Sequence, residues 1–144
     1  MTQPLMDLPC FSANLRRASR AVGRLYGSEL RKSGLETTQF TLLGVLARLD
    51  ETMQGELAQG LAIDSTTLTR TLGRLEERGW VASRPGEDRR ERWIRLTPRG
   101  RRRYEAALPR WQAAQERLRK ALGGENWSPL LERLVEVTRA AEVA

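Results

Sequence analysis

The chain has no histidine and a single cysteine, Cys10, in 144 residues. Without imidazole there is no His-dependent catalytic triad, and one thiol supplies neither an intramolecular disulfide nor a Cys-rich zinc site. No run of about eighteen apolar residues occurs, and no basic segment followed by an apolar stretch stands at the N-terminus. These absences predict neither a signal peptide nor a membrane span, and a His-free, one-thiol chain suits a reducing cytoplasm. A glycine-rich phosphate loop is also missing, because Gly60, Gly73 and Gly79 lie in the wrong context for nucleotide binding. The sequence therefore predicts no enzyme, no metal and no cofactor.

Lysine is scarce as well. Lys and Arg total 25 against 18 acidic residues, for a formal charge of +7, and only two of the 25 are lysines. The charge is concentrated: residues 84–103 hold nine arginines (84, 89, 90, 92, 95, 99, 101, 102, 103) against Glu87, Asp88 and Glu91, a local +6. A basic balance favours a polyanionic partner, and guanidinium is desolvated more easily than ammonium. A charge run in an arbitrary chain is most often just a solvated face; its position decides what it means here.

The length suits one domain with a core of its own. After a polar leader with Pro4 and Pro9, apolar residues at 15, 18, 22, 25 and 30 follow a helical period to a stop near Ser33-Gly34. Thr37 or Thr38 is placed to cap a second helix, whose apolar positions from Phe40 to Leu49 leave little polar face and predict a central, buried element. A short helix over Gly55–Leu61, a turn at Ala62-Ile63-Asp64 and a helix over Ser65–Arg78 form a helix-turn-helix pattern. Gly79 stops the latter helix. Strands over 80–83 and 93–96 then flank a hairpin tip at 85–90, which reads as a wing. Thr97-Pro98 opens a long helix that Pro109 should kink, and Ser128-Pro129 repeats the start signal for a last helix. The first and last helices carry more apolar surface than the central unit needs, which a dimer would bury. The predicted fold class is mainly α with a small β-hairpin (α+β), a winged helix-turn-helix with long terminal dimerisation helices.

At about 100° per residue, Leu68, Leu72 and Leu75 share one face of the helix from Ser65. Thr66, Arg70, Gly73 and Arg74 point the opposite way, with Thr67 and Thr69 flanking. Arginine bonds guanine O6 and N7 bidentately, threonine bonds base edges or phosphate, and glycine permits close approach, so this face suits a major groove. The narrow, arginine-rich hairpin with Arg89 and Arg90 at its tip suits a minor groove, where negative potential is strongest. Taken alone, exposed threonines serve as helix caps and exposed arginines are solvated. Helix and hairpin in succession make the stronger signal.

These residues resemble the MarR family of bacterial winged-helix transcription regulators. The most specific likeness is Asp88-Arg89-Arg90 running into Leu96-Thr97-Pro98-Arg99-Gly100, similar to the family's D-x-R wing signature and L-T-x-x-G. Gly34-Leu35, Gln39-Phe40, Glu56-Leu57-Ala58, Thr69-Arg70 and the run from Leu75 to Val81 agree in order and spacing. The resemblance spans nearly the whole chain. It implies one domain over 1–144, with a DNA-binding lobe over 36–100 and dimerisation helices over 10–35 and 101–144. It further implies a homodimer on a near-palindromic operator in double-stranded DNA, with helix 65–78 in the major groove and wings in flanking minor grooves. Ser65, Thr66, Thr67, Thr69, Arg70 and Arg74 would meet bases or phosphates, and Asp88 would orient Arg90, beside Arg89, by a salt bridge. Repression is the family's default, in the cytoplasm.

Many members release DNA on binding a small phenolic or anionic ligand, and Arg20, Tyr26, Gln39 and Trp111 lie on helices that would line that cleft. Aromatic residues at helical spacing are more often core. Other members sense oxidants through a cysteine near the first helix. Cys10 stands near that point with Arg16 and Arg17 following, but counting back from Gln39 puts Ser12 at the sensor position. Asn14 replaces one expected tyrosine, while Tyr26 fits the second. Two further readings stay open: a low-specificity architectural DNA-binding protein using the same arginines, and a winged helix whose basic wing docks on an acidic protein.

Overall fold

A computed structural model describes residues 9–144; the leader around Pro4 lies outside them. The elements run α1 (Phe11–Leu30), a single 3-10 turn, α2 (Thr37–Arg48), β1 (Thr52–Met53), α3 (Gln54–Leu61), α4 (Ser65–Glu77), β2 (Val81–Pro85), β3 (Arg92–Leu96), α5 (Pro98–Leu122) and α6 (Gly124–Val143). This is a winged helix-turn-helix flanked by long helices, as the sequence predicts.

The core forms where the apolar faces of α2 and α4 meet the sheet. Leu42, Leu43 and Leu46 of α2, Leu68, Leu72 and Leu75 of α4, and Ile94 of β3 are all buried, with Leu30 and Leu35 closing one side. Burying each such leucine contributes about 1.5–3 kcal/mol. Phe40 lies against Tyr104 and Trp111 of α5, with ring centroids 5.0 and 6.1 Å away, so α5 joins the core through aromatics.

Three local features differ from the sequence reading: the cap of α2, the strand β1 and the start of α6. The cap of α2 is Glu36 instead of Thr37 or Thr38: it forms a capping box in which Gln39 Oε1 accepts from the Glu36 N–H at 3.0 Å. The threonines occupy the first helical turn. A third strand, β1, pairs antiparallel with β3 (Thr52 opposite Ile94, Met53 opposite Trp93), giving the order β1-β3-β2. Helix α5 continues through Pro109, where Pro109 and Glu105 both face solvent, so water can satisfy the Glu105 carbonyl that Pro109 leaves unbonded. Helix α6 begins at Gly124, and Pro129 lies inside it. The stop is set by Gly123, whose φ of 84° ends α5, while Asn126 Nδ2 donates to the Leu122 carbonyl at 2.9 Å.

The tightest backbone approach is at Gly100. Thr97 caps α5 by accepting from the Gly100 N–H at 3.0 Å, its hydroxyl donates to the Gly79 carbonyl at 2.6 Å, and its own N–H donates to Trp80 O at 3.1 Å. A Cβ on Gly100 would stand 1.9 Å from that Trp80 oxygen.

Helix α1 is tied to the core at its C-terminal end, whereas α6 is not. Within α1 only Gly27, Glu29 and Leu30 are buried, and within α6 no residue is. Glu29 is held by Lys32 at 2.8 Å, Arg117 at 3.1 Å and Arg110 at 3.9 Å, the last two from α5. The hydrogen bond from Lys32, aided by Arg117, pulls the Glu29 carboxyl below its ordinary range against the opposing effect of burial.

Two stability outcomes follow. Gly100→Ala should cost about 3 kcal/mol or more by denaturant unfolding, because backbone cannot yield as a side-chain tip does. Gly73→Ala, with nothing within 4 Å of the new Cβ, should gain up to about 1 kcal/mol from helix propensity. A carboxyl with a depressed folded-state pKa stabilises fully above its ordinary value of 4.5 and loses that contribution as pH falls through the depressed value. Glu29→Gln should therefore lower the melting temperature at neutral pH and show a smaller drop than the parent between neutral and acid pH.

Candidate nucleic-acid interface

The turn between α3 and α4 is built by Ala62 and Asp64. Ala62 takes φ 51° and ends α3, with Ile63 N–H donating to Ala58 O at 3.0 Å. Asp64 then caps α4: Oδ1 accepts from Thr67 N–H at 2.9 Å and Oδ2 from the Thr67 hydroxyl at 2.6 Å. These bonds, the hydroxyl's first, hold the Asp64 carboxyl below its usual pKa.

With Leu68, Leu72 and Leu75 turned to the core, α4 leaves Ser65, Thr66, Thr69, Arg70 and Arg74 exposed. The side chains of Arg70 and Arg74 make no hydrogen bond or ion pair among the described residues. Gly73 has open space over it. Thr67 differs: its hydroxyl is committed to the cap. The Thr69 hydroxyl accepts from Gln54 Nε2 at 2.9 Å, a partner the sequence did not suggest, since Gln54 lies at the start of another helix.

The hairpin tip closes through Gly86 N–H to Glu91 O at 2.9 Å and Glu91 N–H to Asp88 O at 3.0 Å. A Cβ on Gly86 would meet Glu91 Cβ at 2.5 Å and Trp93 Nε1 at 3.1 Å, so glycine fits here. Asp88 Oδ1 accepts from the backbone N–H of Arg90 at 3.1 Å. This corrects the salt bridge implied by the family likeness: no ion pair joins Asp88 to Arg90 among the described residues. The carboxylate fixes the turn two residues on, as aspartate does in an Asx turn, and leaves the guanidinium free. Arg89 and Arg90 are both exposed.

Four of the nine arginines in the stretch are engaged within the fold, and Arg89, Arg90, Arg95, Arg99 and Arg102 make no hydrogen bond or ion pair among the described residues. Arg84 makes a fork to Glu51 at 2.8 and 2.6 Å and lies 5.3 Å over the Trp93 ring. That pairing lowers the Glu51 pKa and raises that of Arg84. Arg92 bonds Glu76 at 2.9 Å and Ser83 at 2.7 Å. Arg101 donates to Ala47 O at 3.3 Å, and Arg103 donates to Ser33 O while lying 5.3 Å over Trp80. These four brace the wing and the start of α5. Arg89 and Arg90 have no such task.

Of the candidate effector residues, Tyr26 donates from α1 to Gln115 of α5, and burial raises its pKa, keeping the phenol protonated. Trp111 and Gln115 line an open cavity of about 330 Å³ with Gln112, Glu116, Arg119 and Trp127. Gln39 is buried and taken up in the α2 cap, and Arg20 is exposed. Cys10 is exposed at the N-cap of α1. The structure thus joins Tyr26 to the Trp111 cavity through Gln115 and leaves Gln39, Arg20 and Cys10 in other roles or places.

If Asp88 works through the backbone, Asp88→Asn keeps an acceptor oxygen and should preserve the slow exchange of the Arg90 amide, whereas Asp88→Ala should abolish it. Hydrogen exchange followed by NMR separates the two.

A model described as the MarR family matches residues 33–91. Among curated proteins, the HTH-type transcriptional regulator YwoH of Bacillus subtilis is 34% identical over 91 residues, covering 63% of this chain and 66% of its own length. The transcriptional activatory protein BadR of Rhodopseudomonas palustris is 35% identical over 116 residues, covering 70% and 66%. The chain thus spans slightly under two thirds of these relatives. Among solved structures, the M. tuberculosis transcriptional regulator MosR in complex with DNA matches with TM-score 0.82 and 34% identity, over 93% of this chain and 97% of that one. A mutant E. coli MarR complexed with operator DNA has the same fold, with TM-score 0.80 at 24% identity. With the family model lying on the helix-turn-helix and a regulator of the same fold matched nearly end to end, the chain belongs to the MarR family.

Proposed function

We propose that the protein is a transcription regulator that binds a near-palindromic DNA operator as a homodimer. In this reading the lobe over 36–100 carries α4 into the major groove and the Arg89/Arg90 tip into the minor groove. The helices over 10–35 and 101–144 form the dimer. The observation that carries the reading is that Arg70 and Arg74 on α4, and Arg89 and Arg90 on the wing, stand exposed with their guanidinium groups unengaged among the described residues, while Arg84 and Arg92 brace the base of the wing. The resemblance to MosR, solved with DNA, supports it. The dimer is supported by the apolar residues left exposed on the terminal helices, among them Leu15, Val22, Leu131, Leu134 and Val135.

Repression, with release by a small aromatic or anionic ligand, is the regulatory mode we infer. The cavity between Trp111 and Trp127 has the aromatic walls such a ligand needs. A thiol switch at Cys10 is the second reading, favoured by the exposure of that thiol. Tyr26, already bonded to Gln115, is not its partner in the protomer.

Fluorescence anisotropy with the chain's own upstream duplex and a shuffled duplex, over a salt series, tests the reading. Arg90→Ala should weaken binding to both sequences and reduce the salt slope by about 1, while Arg70→Ala or Arg74→Ala should cost about 1–3 kcal/mol on the specific duplex and relax preference. Near-parental binding by all three would refute the docking. Equal binding of both duplexes by the parent would favour an architectural protein. Adding phenolic carboxylates or peroxide to the preformed complex distinguishes the two signals.

A further inference from the structure

We infer that Gln54 fixes the hydrogen-bonding sense in which Thr69 meets DNA, so that the pair, and not Thr69 alone, determines base preference at one position of each half-site. This rests on the reading that α4 enters the major groove.

Gln54, the first residue of α3, donates from Nε2 to Thr69 Oγ1 at 2.9 Å across the helix-turn-helix. An amide nitrogen only donates, so this bond occupies a lone pair on the hydroxyl and leaves the hydroxyl proton uncommitted. A helical threonine ordinarily sends that proton back to the carbonyl four residues earlier. Among the described residues three threonines do so: Thr41 to Thr37 O at 3.0 Å, Thr71 to Thr67 O at 2.9 Å and Thr138 to Leu134 O at 3.0 Å. Thr69 makes no such bond to Ser65 O, although it stands in the middle of α4. Its hydroxyl is turned toward Gln54, and the side chain is exposed.

The consequence is a hydroxyl biased toward donating outward from α4, with its proton uncommitted and only one of its two lone pairs still open. Donors are answered in the major groove by guanine O6 and N7, adenine N7 and thymine O4. Without the glutamine, the same hydroxyl rotates freely and accepts as readily as it donates. The second Nε2 proton of Gln54 remains available for a phosphate oxygen, which would hold the pair in register with the backbone.

The test is in vitro selection from a random duplex library with the full-length parent, Gln54→Glu, Gln54→Ser and Thr69→Val, each first checked for folding by circular dichroism. With Thr69→Val, preference should fall about fivefold at one symmetry-related position and hold elsewhere. In Gln54→Glu the carboxylate only accepts, so it takes the hydroxyl proton and turns the oxygen lone pairs outward. Preference at that same position should then move to bases offering an amino donor, cytosine N4 or adenine N6. The added negative charge lowers affinity for every sequence alike and cancels in the ratio. Gln54→Ser, which frees the hydroxyl rotor, should broaden the position without inverting it. A Gln54→Glu motif that superposes on the parent's at every position overturns the proposal, as does uniform weakening of all sequences by Thr69→Val, the mark of a phosphate contact. A parent that enriches no motif overturns the DNA reading itself, and the pair's role with it.

Discussion

The architecture depends on one contact between two backbones, where the first turn of α5 presses on the carbonyl of Trp80. Only glycine at position 100 allows it, and Thr97 secures it from three directions through its hydroxyl and its N–H. Arg78 and Arg103 lie over the Trp80 ring at 5.0 and 5.3 Å, adding cation–π attraction at the same point. The end of α4, the root of the wing and the start of the longest helix therefore meet within a few residues. A tilt of α5 has no slack to absorb it there.

Arginine does two kinds of work in this chain, and its geometry explains why lysine is nearly absent. The planar fork of Arg84 grips both oxygens of Glu51 while stacking on Trp93, and the guanidinium of Arg92 reaches Glu76 and Ser83 at once. A point charge on a flexible stem makes no such two-pronged, stacked contact as that of Arg84. The wing is narrow and stiff because these bonds hold its base, and its tip is free because Asp88 spends its carboxylate on the backbone.

Periodicity made the helices legible, since α4 and the apolar face of α2 repeat at 3.6 residues, and the Thr97-Pro98 start of α5 carries its own capping chemistry. The strand β1 was not legible, because two residues leave no period to detect and its pairing is to a segment some forty residues away. The start of α6 was misplaced because Ser-Pro is a local signal, whereas the actual stop comes from the positive φ at Gly123. Side-chain partners across the fold were the least accessible. Nothing near Glu29 in sequence announces Arg117, and nothing near Thr69 announces Gln54. The exposed face of α4 followed from its wheel, but the assignment of Thr67 to a cap and of Gln39 to another needed coordinates.

Helix α6 hangs from Gly123 and buries none of its own residues in the protomer. In the proposed dimer its apolar side chains would gain their burial from a second copy, and its cohesion would then obey mass action as well as sequence. For such a chain a melting temperature is a property of a solution at stated concentration. In that dimer the number of copies in a cell would set how much of the population carries an intact clamp.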